Sequence, residues 1–334
     1  MKVLVTGGTG FLGRRIVAGL APRHTLRLLV RPGSSRERFP KGVEFAAGDV
    51  TDRFGLQRAA AGCDAVVHAA ALVKIVAPAR EFDRINVEGL KNALAAAEHA
   101  GVSRFVYVSS FMALGPTEGG PGGQLDESAE PRDRPWINDY ERTKTLADRA
   151  ARQAIAEGAP VTIVYPGVIY GPGEMTEGNL VVRHVLDLVH RRLPALIGSP
   201  DRRWNYVHVE DVARGVALAL EAGSRTGRYM LGGENVRLSD FYRTVEELTG
   251  VRVPRRRLPD GLAKAAGALQ KGWARLRGST PQLTPDLVEV YRHDWAYSSA
   301  KAEAELGYRF RPLAKGLAAT IAWLEESGQW KRAS

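Results

Sequence analysis

Apolar residues along the chain follow two spacings. Short, largely apolar runs occur at residues 3–5, 25–30, 42–48, 65–71, 104–109 and 161–165. Such runs suit strands buried on both faces of a sheet. Between them, residues 11–20, 81–100 and about 138–157 carry apolar residues at a helical period. Strand and helix alternate at the pace of βαβ units, which predicts an α/β fold with a doubly wound parallel sheet. After residue 173 the rhythm changes. Helices are predicted at 180–191, 209–222, 238–248, 261–275, 285–293 and 313–326, with short strands near Leu196 and Tyr229. The division expected is a sheet domain over residues 1–175 and a smaller, mostly helical substrate domain over 176–330. The two are interleaved, with segments near 203–230 returning to the sheet. Residues 111–135, rich in Gly, Pro and acidic side chains, read as a long loop, either a functional cover or a disordered segment.

The first strand turns into the first helix through Thr6-Gly7-Gly8-Thr9-Gly10-Phe11-Leu12-Gly13. Glycine there allows a tight bend, lets backbone approach a pyrophosphate, and lets helix pack close to strand. The helix start offers free N–H groups and partial positive charge. This is the turn of a Rossmann dinucleotide site, and Gly7, Thr9, Gly10, Phe11, Leu12 and Gly13 are its candidate contacts. The second strand ends at Arg31, where NAD-preferring sites carry an acidic residue for the ribose 2′-hydroxyl. Arg31, Ser34 and Arg36 suit a 2′-phosphate instead, so NADP is expected, with NAD as the alternative. Ligands of open parallel sheets lie beyond the carboxyl ends of the strands. On that edge, Asp49 and Val50 are candidates for the adenine. Asp49 could equally cap the following helix. Ala69, Ala70 and Ala71 form a small-residue loop against which the cofactor can lie. Asn86, Ser109 and the Pro166-Gly167-Val168 strand end complete the candidate set.

Composition narrows the partners. The 334 residues, 44% hydrophobic and 25% charged, are those of a globular chain. The single cysteine, Cys63, excludes an internal disulfide and reads as a small buried thiol. The seven histidines are scattered, without metal-ligand spacing, so no metal site is expected. No apolar run reaches membrane-spanning length, and no leader segment is read at the N-terminus; a cytoplasmic location is expected. The net charge of +10 is spread over Arg36/Arg38, Arg191/Arg192, Arg202/Arg203, 255–257 and 271–277. No nucleic-acid-binding pattern accompanies these spots, and attraction of phosphorylated cofactors accounts for them. The basic stretch 264–277 reads as a surface helix or lid with its apolar stripe packed inward, in preference to a membrane-surface element.

Tyr140 and Lys144 are four residues apart, hence on one helix face. A phenol is a poor acid/base at neutral pH; a neighbouring ammonium stabilises its anion and lowers its pKa. Ser110, at the end of the fifth strand, can hold a carbonyl oxygen, and a nicotinamide supplies hydride. Ser110, Tyr140 and Lys144 are therefore the candidate catalytic residues, with the last two also beside the cofactor.

The chain resembles the extended short-chain dehydrogenase/reductase family, including the NAD-dependent epimerase/dehydratase group. The residues that carry the resemblance are TGGTGFLG at 6–13, GDVTD at 48–52, HAAA at 68–71, NVEG at 86–89, VYVSS at 106–110, YERTK at 140–144 and YGPG at 170–173. YVHVEDVA at 206–213, LGGEN at 231–235 and YSSAKAEAELGY at 297–308 continue it. The chain is most similar to the dihydroflavonol-reductase-like branch and to hopanoid-associated sugar epimerases. The resemblance implies catalytic roles for Ser110, Tyr140 and Lys144, with Ser109 as the serine if the alignment shifts by one. It also implies a homodimer through the helices near 81–100 and 138–157. Thr143 replaces the family's usual serine. Trp204 and Tyr165 stand where nucleotide-sugar enzymes carry arginine, although Arg202 and Arg203 are adjacent and Asn179-Leu180 matches the diphosphate-contacting pair. The leading expectation is an NAD(P)-dependent oxidoreductase acting on a ketone or aldehyde. The alternatives are a nucleotide-sugar epimerase or dehydratase with tightly bound NAD, and a non-catalytic NADP sensor.

Overall fold

The apolar runs become adjacent strands because both of their faces are covered. In chain order the strands are β1 (Lys2–Thr6), β2 (Thr25–Val30), β3 (Glu44–Ala47), β4 (Ala65–His68), β5 (Arg104–Val108), β6 (Val161–Pro166), β7 (Val168–Tyr170), β8 (Arg203–His208), β9 (Gly227–Leu231) and β10 (Glu234–Arg237). The helices are α1 (Phe11–Leu20), α2 (Arg53–Ala60), α3 (Ala79–Phe82), α4 (Gly89–His99), α5 (Asp139–Ala156), α6 (Leu180–Val189), α7 (Val209–Glu221), α8 (Leu238–Thr249), α9 (Asp260–Arg277), α10 (Pro285–Tyr291), α11 (Ala300–Leu306) and α12 (Leu313–Glu326). The computed structural model describes residues 1–332 apart from 38, 75, 119–122, 131–133 and 177, and only the backbone at 275. Arg38 and parts of the 111–135 loop thus lie outside the described residues.

Seven strands form one parallel sheet in the order β3-β2-β1-β4-β5-β6-β9. Alternate residues of each strand feed different cores. Leu4 and Val66 join Leu56, Leu90 and Ala97 under α2 and α4. Val3, Val5 and Val67 join Ile16, Val17 and Val216 under α1 and α7. Each such side chain contributes on the order of 1.5–3 kcal/mol on burial, which is why the strands read as continuous apolar runs rather than as alternation.

The region after residue 173 holds the predicted helices and, in addition, β8 and β10, which pair with β7 into a three-stranded sheet, β10-β8-β7, that periodicity did not predict. Its central strand, Arg203–His208, is buried from Trp204 onward although its sequence mixes polar and aromatic residues. Asn205 at its centre donates to the carbonyls of Gly233 and Tyr297 and accepts from the Gly233 amide. The strand predicted near Leu196 is only an isolated bridge to Arg257, because neither flank continues the pairing. The predicted 81–100 helix begins at Ala79, and its middle, Asp83–Glu88, is π-helical.

Candidate active site

The reversal of strand order between β1 and β4 opens a crevice at their carboxyl ends. Gly7 occupies it with φ +72°, and a Cβ there would stand 2.6 Å from the Ala69 carbonyl carbon and the Ala70 nitrogen. A Cβ at Gly13 would overlap the Gly7 carbonyl oxygen. These two glycines are required by the protein's own packing. Gly10 is different: a Cβ there would meet nothing closer than the Gly7 oxygen at 3.4 Å. Space is therefore kept at the start of α1, whose first turn has no acidic residue and no side-chain cap. A dinucleotide pyrophosphate lying on that helix start fits both features.

The residues around this crevice divide into those free to meet a ligand and those already engaged. Thr6 bonds His68 Nδ1 at 3.0 Å and accepts from the Ala70 amide, fixing the Ala69–Ala71 loop. Arg31 is exposed, and among the described residues its guanidinium has no hydrogen-bond or ion-pair partner. The Arg31–Ser34 turn closes through Ser34 N–H to Arg31 O at 3.0 Å. Arg36 lies over the Phe45 ring. The Asp49 carboxylate accepts from Thr51, and the helix after it is capped by Asp52, not Asp49. Val50 is buried against Gly89. Phe11 packs on Gly173, and Leu12 is half-buried. Gly167, held between Pro166 and Val168, is required by contact with Asn205. Asn86 is saturated: it accepts from the Leu72 amide at 2.7 Å and donates to Leu72 O and Thr143 Oγ1. Its place is behind the loop, which it positions.

Ser110, Tyr140 and Lys144 come together beside this crevice. Ser110, two residues past the end of β5, accepts from the Met112 amide; Ser109 beside it is buried. Asn138 caps α5 by accepting from Glu141 N–H at 2.8 Å, which sets Tyr140 and Lys144 on the first two turns. Thr143 donates to the Asp139 carbonyl and joins that helix start to Asn86. Burial pushes the Tyr140 phenol above its ordinary pKa, and a hydrogen bond with the Ser110 hydroxyl works against the rise. Lys144 Nζ donates to Val108 O at 3.2 Å and sits 6.0 Å from the Tyr140 ring centre. Burial lowers the Lys144 pKa to about 8, with Asp148 one turn further on pulling it back up. His68, buried next to this group, is held near 3 by burial and by the Lys144 charge, so it is neutral.

Sequence reasoning did not single out His68, Asn205 or Tyr297, and read Met112 to Pro116 only as part of the 111–135 loop. Met112, Leu114, Pro116 and Trp136 line a small indentation, with Arg134 paired to buried Glu141 in its wall. Tyr297 donates to the carbonyls of Phe111 and Gly115 and holds that wall in place. A motif quoted for resemblance contained Tyr297, but its partners are more than a hundred residues away and leave no local signal. Among the described residues no group of three His, Cys, Asp or Glu could hold a metal, and no helix is long and apolar enough to cross a membrane.

A model of the NAD dependent epimerase/dehydratase family matches residues 3–232. The chain is 31% identical to sterol demethylase protein B of Methylococcus capsulatus, over 98% of this chain and 99% of that one. It is 32% identical to a 3 beta-hydroxysteroid dehydrogenase/Delta 5→4-isomerase of Mycobacterium tuberculosis, over 92% of this chain and 85% of that one. The crystal structure of gox2253 superposes with a TM-score of 0.83 at 34% identity, covering 98% of this chain and 99% of that one.

Proposed function

The chain belongs to the NAD-dependent epimerase/dehydratase family, within the extended short-chain dehydrogenases/reductases, and we propose that it is an NADP(H)-dependent reductase of an apolar ketone or aldehyde. The observation that carries this reading is the grouping of Ser110, Tyr140 and Lys144 beside a glycine turn with space kept at Gly10. Unpaired Arg31 at the end of β2 supports NADP over NAD. Relatives named for sterols and steroids support an apolar carbonyl compound. Trp204 donates its indole N–H to His293 O, and Arg202 and Arg203 are spent on Asp294, Glu118 and Gly123. Neither Arg202 nor Arg203 is left free to grip a nucleotide-sugar diphosphate, which weighs against the epimerase alternative.

Gly7 to Gly13 and the start of α1 would hold the pyrophosphate, Arg31 and Ser34 the 2′-phosphate, and Ala69 to Ala71 the face of the cofactor. When bound, the reduced nicotinamide supplies hydride. The Ser110 hydroxyl donates to the substrate carbonyl oxygen and holds it near the phenol. Tyr140 gives its proton to that oxygen as negative charge builds there. Lys144, anchored on Val108 O, places a positive charge behind the phenolate that remains and stabilises it.

Purified protein incubated with NADPH and a panel of sterol, steroid and short-chain ketones tests the reading. Net NADPH oxidation with an apolar ketone is expected. Conversion of a sugar nucleotide without net oxidation would replace it with the epimerase reading. Arg31→Asp is expected to lower the NADP/NAD preference by roughly 10- to 100-fold, the worth of one charge-assisted pair. An unchanged ratio would remove Arg31 from the phosphate site.

A further inference from the structure

The expectation that α9 packs its large apolar residues inward is overturned. Its inner face is made of Ala263, Gly267 and Ala274. A Cβ at Gly267 would stand 2.8 Å from the Thr284 carbonyl carbon, so the helix lies tight against the start of α10. Its large residues face outward: Leu262 is 62% exposed, Leu269 71%, Trp273 58% and Leu276 86%. Spacings of seven, four and three residues put all four on one face of the helix. Among the described residues eight large apolar side chains are exposed, and half of them are these four. A stripe of this kind is uncommon on a free surface.

The charge around the stripe is one-sided. From residue 251 to 284 the chain carries eight Lys and Arg against a single acidic residue, Asp260. Asp260 is itself paired with Arg292. Lys264 and Lys271 are engaged by Glu289 and Asp286 of α10. Arg252, Arg255 and Arg256 are exposed and without side-chain partners among the described residues. Arg277 lies 4.5 Å over the outward Trp273 ring. An exposed Trp/Leu stripe in a basic neighbourhood is what an in-plane helix presents to an acidic headgroup layer.

We propose that α9 docks the protein on an anionic membrane surface, with Leu262, Leu269, Trp273 and Leu276 entering the headgroup boundary. Charge favours this occupant over a second copy of the chain, whose corresponding face would bring the same cations together. Docking at this surface does not depend on the reaction assigned above.

The full-length protein is mixed with vesicles of phosphatidylcholine alone or with phosphatidylglycerol, and floated on a density gradient at low and high salt. It is expected to float with the phosphatidylglycerol vesicles and to be released by salt. Leu269→Glu/Leu276→Glu is expected to cut the floated fraction by about tenfold or more without changing the melting temperature or NADPH binding. Arg255→Gln/Arg256→Gln, which leaves the stripe intact, is expected to weaken flotation and flatten its salt dependence. Failure to float with anionic vesicles, or equal flotation of the Leu269→Glu/Leu276→Glu protein, would overturn the proposal. So would a dimer in light scattering that this double substitution dissociates, which would assign the stripe to a second copy.

Discussion

Tyr140 and Lys144 are one helical turn apart, yet burial moves their pKa values in opposite directions. It raises the phenol and lowers the ammonium to about 8, since each is pushed toward its neutral form. The phenol is thus held neutral, and the lysine loses its charge at mildly alkaline pH. If Tyr140 is the proton donor, Tyr140→Phe lowers kcat by roughly 100- to 10,000-fold while NADPH affinity stays within about twofold, because only the hydroxyl is removed. A fluorescence titration beside steady-state rates checks both; near-normal turnover would assign the proton to another group. If the Lys144 charge supports that transfer, kcat/KM for ketone reduction falls as pH rises past about 8. The sign follows from the lowered folded value: above it the folded protein has lost a proton that the unfolded chain still binds. A profile flat to about pH 10, the ordinary lysine range, would contradict this. The spacing of Tyr140 and Lys144 is readable in sequence. The anchoring of Lys144 on Val108 O is not, because it depends on how close β5 and α5 come.

At the scale of elements, local pattern identifies what each segment is but not how it is distorted. The 81–100 periodicity correctly marks a helix, while the π-helical Asp83–Glu88 segment inside it leaves no periodic trace. That segment carries Asn86, which ties the loop after β4 to Thr143 on α5. One side chain thereby joins the loop after β4 to the helix bearing Tyr140. Asn86→Ala leaves the Leu72 amide without its partner and is expected to cost about 1–3 kcal/mol. It is also expected to raise the KM for NADPH, because the Ala69–Ala71 loop loses its brace. Chemical denaturation and initial rates read the two effects. Loss of stability with unchanged cofactor KM would reduce Asn86 to a packing role. The same limit explains α9: its composition is legible as basic and amphipathic, but which face turns inward is decided by the fit of Gly267 against Thr284.

Across the whole molecule, the parallel sheet was legible because its strands are apolar on both faces and bounded by turns. The three-stranded sheet was not, since Asn205 of β8 and Asn235 of β10 are tied in by the distant Tyr297 backbone. Long-range ties of this kind also fasten the C-terminal segment. Asp211, on α7 and almost fully buried, receives two guanidinium bonds and the backbone N–H of Arg311. Burial alone would raise the Asp211 pKa, but the hydrogen bonds and charge of Arg311 outweigh it and hold the carboxyl below its ordinary value. A carboxyl lowered in the folded state adds stability that is present above its unfolded pKa, about 3.9, and is lost as pH falls through the lower folded value. Asp211→Asn removes the charge while keeping the shape. Because Arg311 is partly solvated, the expected loss near neutrality is about 2 kcal/mol rather than the full cost of breaking a buried pair, or about 3 °C in melting temperature. The substituted protein is also expected to lose less stability than the parent between about pH 5 and pH 2, since the proton it would take up is no longer linked to unfolding. Parallel denaturation curves over that range decide it. Equal acid sensitivity in the two proteins would place the pH response in other carboxylates and leave the Arg311 tie as packing alone.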